Sequence, residues 1–166
     1  MAAEENDHSD PPLIGEQPAL LQYIKNLGLY LEEYNVPTIG GEILGLLSIA
    51  HRPLSQDEMM EVLDVSRSSI STNLRSLLMA GLVERVSVVG ERSDAFVLSE
   101  DILEKLLDMR LKKVENLCEV AESGLSALPE GHPARQRVQK LVEWAKLLET
   151  VYQDLLERWK SKWGNN

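Results

Sequence analysis

Residues 66 to 77 read SRSSISTNLRSL, a run of hydroxyls and one amide with two guanidinium groups, Arg67 and Arg75, and no carboxylate. Short hydroxyls and arginines at this density are the groups that hydrogen-bond to base edges and phosphates. They are poor material for covalent catalysis without a base at hand. The rest of the chain offers no such base at a telling spacing. His8, His51 and His132 are scattered, and Cys118 stands alone on a helical pattern, where a buried, inert thiol is the expected state. There is no phosphate loop, nucleotide fingerprint or metal-ligand spacing. No catalytic residue, metal ligand or cofactor is expected.

The run has to be positioned, and its apolar residues say how. Ile70, Leu74, Leu77 and Leu78 recur at i, i+4, i+7 and i+8, the inner stripe of a helix. At 100° per residue, Ser68, Thr72, Arg75 and Met79 fall on the opposite side, flanked by Ser69, Ser71 and Ser76. Arg67 lies in the first turn, where a phosphate would sit. Ser66 is placed to cap this helix, with Val65 and Ile70 as its hydrophobic staple, and Gly81 stands at the usual glycine position past its end. Upstream, Ser55 and Glu58 form a capping box, and Leu54 with Met59 a second staple, so a short helix starts at Ser55 and stops before Asp64-Val65-Ser66. Two helices joined by so tight a turn make a helix-turn-helix. After Gly81 the period changes. LVERVSV (82–88) reads as a strand, residues 89–94 as a polar turn and AFVL (95–98) as the returning strand. That hairpin is a wing, with Arg92 at its tip. The expected fold class is mainly α with a small β-hairpin wing: a winged helix-turn-helix plus long C-terminal dimerisation helices.

Helical spacing also marks residues 17–34 and about 40–50, the latter apolar nearly all round, then about 100–128 and 134–163 after the break at PEGHP. The expected organisation is an acidic disordered tail (1–16), a winged domain (17–99) and a helical arm (100–166). The arm's apolar stripes are wider than the winged domain can cover, so a homodimer through the arm is expected, which would pair two of the polar helices on a two-fold site. The chain has 166 residues and a net charge of -10, but residues 66–92 hold four arginines against Glu84 and Glu91, a local net charge of +2. Local sign matters more than the total for where an anion docks. No apolar run is long enough for a membrane span, the N-terminus does not read as a signal peptide, and a single cysteine suits the cytoplasm.

The run LSQDEMMEVLDVSRSSISTNLRSLLMAGLVERVSVVGERSDAF, with Pro37, Gly41 and the apolar residues 43–47 before it, resembles the winged-helix regulators of the MarR superfamily, and most of all its GbsR-type branch. The resemblance spans about residues 20–98. It implies a dimeric, sequence-specific DNA-binding transcriptional regulator, with a recognition helix over 66–80 in the major groove and a wing over 83–98 on the flanking backbone or minor groove. The residues expected to contact double-stranded operator DNA are Arg67, Ser68, Ser69, Ser71, Thr72, Arg75, Ser76 and Arg92. The chain departs from its relatives at Ser93 and Asp94, where many carry a second basic residue, and at Ser68 and Ser69 near the helix start. Some GbsR-type proteins sense quaternary ammonium compounds, which need an aromatic cage. The tyrosines at 23, 30, 34 and 152 and the tryptophans at 144, 159 and 163 read instead as core or dimer packing. A small-molecule effector stays open, with no identity assigned. The alternative to DNA binding is a winged-helix module that binds protein partners only. Arg67, Arg75 and Arg92 against Glu84 and Glu91 discriminate the two.

Overall fold

The structure is a computed structural model that describes residues 17–32, 34–88 and 94–164. The chain divides into two compact units after Glu100. The expected N-terminal tail and the wing tip with Arg92 lie outside the described residues.

In the first unit, α1 (Pro18–Glu32) opens on a proline, which suits a first helical turn. It buries Ile24, Gly28 and Leu31 at i, i+4 and i+7 against α2 (Thr38–Ile49). The two backbones touch: a Cβ on Gly41 would lie 2.8 Å from Gly28 Cα. That contact explains why α2 spends a strong core position on a weak helix former. Ile43, Leu44, Leu46 and Leu47 fill the centre around it.

Ser55 caps α3 (Gln56–Leu63) through the expected capping box, and Leu54 and Met59 beside it are fully buried. Asp64 then turns the chain at φ 54°, a left-handed conformation that Asp tolerates. Ser66 accepts from the Ser69 N–H and starts α4 (Arg67–Met79). The far end closes as a Schellman motif. Gly81, at φ 69°, donates to the Leu78 carbonyl, and Leu82 to that of Leu77. Leu77 and Leu82 are both buried there.

Strands β2 (Val83–Val86) and β3 (Ala95–Leu98) form the wing, with Arg85 opposite Phe96. The first strand is shorter than the expected 82–88. The sheet also has a third strand that the sequence pattern did not suggest, β1 (Leu54–Ser55), antiparallel to β3 in the order β1-β3-β2. Two residues cannot show a period of two, and Ser55 reads as a helix cap on its own. The pairing exists because β3 brings Phe96 opposite Leu54, both with no exposed surface.

The second unit is a hairpin of α5 (Ile102–Ala127) and α6 (Arg135–Trp163). Arg135 donates to the carbonyls of Leu125 and Leu128, satisfying the end of α5 from the start of α6. A Lys146–Glu122 ion pair of 2.6 Å crosses between the helices. The seam is narrow: Leu111, Cys118, Ala121, Val142 and Ala145 are its buried residues. Outside it Leu141, Trp144, Leu147, Val151 and Leu155 stay exposed along α6. None of the described helices is long and apolar enough to cross a membrane.

Candidate nucleic-acid interface

The interface builds outward from α4. Ile70, Leu74 and Leu77 are buried and fix the helix to the unit, so rotation is not free. The same rotation leaves Arg67, Ser68, Thr72, Arg75, Ser76 and Met79 exposed, with Ser69 and Ser71 half-buried between the faces. The helical wheel drawn from sequence therefore matches the observed burial.

The serines divide into two groups. At the helix start, Ser66 Oγ lies 3.0 Å from both Ser68 Oγ and Ser69 Oγ, and the Ser69 N–H donates to it. Ser66 thus satisfies one orphan donor of the first turn, and the other two hydroxyls hydrogen-bond to that cap. Asn73 donates back to the Ser69 carbonyl, and Ser76 to that of Thr72. Ser71 belongs to the second group. It lines a groove of about 210 Å³ with Gln56, Arg75, Met79, Arg85 and Phe96. Arg75 and Ser71 therefore meet in one concavity between α4 and the wing, which Ser68 and Ser69 do not line.

The arginines differ in what holds them. Arg67 is ion-paired with Asp57 in the first turn of α3, both side chains being well exposed. Arg85 bonds Asp94 at 3.0 Å and lies 5.8 Å from the Phe96 ring centroid. Arg75 has no ion-pair partner among the described residues. Glu84, one step along β2 from Arg85, belongs to the other face of the sheet. There it accepts a 2.7 Å hydrogen bond from Ser99 Oγ and does not cover the α4 groove. Glu91 lies outside the described residues.

Sequence reasoning missed Arg85 and Gln56 as groove residues. The signal for Arg85 was strand alternation from Val83, which places it on the helix-facing side of the wing. Gln56 carried the positional signal, being the first residue of the helix that precedes the polar one. Among the described residues no group of three His, Cys, Asp or Glu side chains is placed to hold a metal ion.

Within α3, Glu58 ties the helix to the preceding loop. Its carboxylate bonds Arg52 at 2.6 Å and takes the N–H and Oγ of Ser55 at 2.7 and 2.8 Å. Burial acts to raise its pKa, but the bonds from Arg52 and Ser55 outweigh it and hold the group below the ordinary carboxylate value.

Comparison with known proteins agrees with this arrangement. A model described as MarR family matches residues 41–93, and one described as MmpR5-like MarR family transcriptional regulator matches residues 101–162. The HTH-type transcriptional regulator MmpR5 of Mycobacterium tuberculosis is 28% identical over 155 residues, 92% of this chain and 94% of that one. The putative HTH-type transcriptional regulator YvaV of Bacillus subtilis is 25% identical over 100 residues, 60% of this chain and 56% of that one. A crystal structure of a transcriptional regulator superposes with a TM-score of 0.67 at 28% identity, covering 87% of this chain and 99% of that chain.

Proposed function

We propose that this chain is a MarR-family winged helix-turn-helix transcriptional regulator that binds operator DNA as a homodimer, with α4 in the major groove and the wing against the flanking backbone. The observation that carries this reading is the outer face of α4. It presents Arg75, free of any ion pair among the described residues, beside Ser71, Thr72 and Ser76 on a helix anchored by Ile70, Leu74 and Leu77. An exposed guanidinium on such a helix can reach a guanine edge, and the short hydroxyls let the helix approach closely. Arg67, Ser68 and Ser69 stand at the end of α4 where the phosphate backbone would pass, and Arg92, expected from the sequence pattern at the wing tip, would add a contact there. A module for protein partners alone would be expected to show an apolar patch here, and the polar face of α4 does not favour that reading.

The second unit supports the homodimer. Its seam buries few residues, whereas Leu141, Trp144, Leu147, Val151 and Leu155 repeat along one exposed side of α6. A second copy of the same helix covers such a row symmetrically and pairs two α4 helices for successive half-sites. The finer placement in the GbsR-type branch rests on the residue framework of 54–96 with Pro37, Gly41 and residues 43–47 before it, and a cytoplasmic site of action goes with the regulatory role.

Arg75→Ala tests the reading. Against a duplex that the wild-type protein selects, it costs about 1–3 kcal/mol and relaxes preference at one base position, while the helical circular-dichroism signal is unchanged. Unaltered affinity and preference would remove Arg75 from the interface.

A further inference from the structure

Two of the three arginines described on or beside the α4 face are already engaged by carboxylates. Arg67 pairs with Asp57, and Arg85 with Asp94. The Arg67–Asp57 pair joins the first turn of α4 to the first turn of α3, at the rim of the proposed interface. The side chains are 63% and 68% exposed. A pair so wet contributes little to stability, so the fold would lose little if Arg67 exchanged Asp57 for another anion. Asp57 also favours the positive end of the α3 dipole, but that role needs no arginine.

We propose that Asp57 competes with DNA phosphate for Arg67, and thereby sets how weakly the protein binds unrelated duplexes. The inference rests on the DNA-binding reading above. In the free protein Arg67 donates to Asp57. On the duplex, a backbone phosphate takes those donors, since guanidinium binds phosphate oxygens as well as carboxylate. The released carboxylate then lies beside a polyanion and takes up a cation. That uptake offsets part of the counterion release which drives non-specific binding. A duplex whose backbone path brings a phosphate onto Arg67 overcomes the competition, and one that does not is left with Arg67 occupied.

Fluorescence anisotropy of the full chain on a labelled duplex of unrelated sequence, over a series of salt concentrations, tests this. Asp57→Asn should bind about threefold to tenfold more tightly than wild type. Its plot of log affinity against log salt should be steeper by about one unit. The gain should vanish when Arg67→Ala is added, and Asp57→Ser should repeat the result in a second side chain, with circular dichroism showing each variant folded. Unchanged affinity and slope in Asp57→Asn would overturn the proposal, as would a gain of the same size in the Arg67→Ala background. Wild-type protein that binds no duplex at any salt would overturn the DNA-binding reading itself, and this proposal with it.

Discussion

Glu58 shows how one side chain serves several purposes. It closes the capping box of α3, receives Arg52 from the preceding loop and so fixes the helix that α4 turns away from. Its pKa is depressed in the folded protein, so the unfolded chain binds this proton at higher pH than the folded one does. The stabilisation is therefore complete above the ordinary value of 4.5 and is lost as pH falls through the lower folded value. Glu58→Gln should be less stable than wild type at neutral pH by about 1 kcal/mol, the size of a lost cap. That gap should close toward pH 3 in denaturant titrations. A gap that is constant with pH would mean that the charge of Glu58 contributes nothing. At this scale the sequence was informative wherever chemistry is local. Ser55 with Glu58, Ser66 and Gly81 were readable because a cap is decided within four residues. Arg67 was not, because its partner Asp57 lies on another helix ten positions away and only the turn between brings them together.

Among the elements, α2 is held backbone to backbone against α1. Gly41 meets the backbone of Gly28, so an added methyl has no flexible neighbour to displace. Gly41→Ala should destabilise the protein by about 1–3 kcal/mol despite the better helix propensity of alanine. Gly124 is the control. It lies within α5, and a Cβ there would find only Val138 Cγ1 at 3.9 Å, an ordinary contact. Gly124→Ala should stabilise by about 0.5–1 kcal/mol. Thermal unfolding of the two variants should move in opposite directions, and a fall in both would contradict the packing described for α5. The helices themselves were legible from apolar spacing, with ends shifted by a residue or two. Strand β1 was not, since its identity depends on β3 more than forty residues later. Nor was the groove between α4 and the wing, because Arg85 enters it through strand pairing opposite Phe96.

At the scale of the molecule, charge and apolar surface are both unevenly placed. The chain carries a net charge of -10, yet the stretch that forms α4 and the wing is net positive. Such a distribution would confine affinity for nucleic acid to that stretch and make it sensitive to salt. The apolar surface along α6 is where a second copy would sit. Sedimentation equilibrium should give twice the chain mass of 18.7 kDa. Leu147→Glu, at a position 62% exposed in the single chain, should shift the protein to monomer. A monomeric wild type, or an unaffected variant, would contradict dimerisation through α6. The measurement that tests the central claim most directly is fluorescence anisotropy of the wild-type protein on DNA from upstream of its own gene, with unrelated DNA of equal length as competitor, at two salt concentrations. The account predicts binding that the competitor displaces poorly and that weakens steeply as salt rises. Binding no tighter than to the competitor, with α4 and its arginines intact, would contradict it.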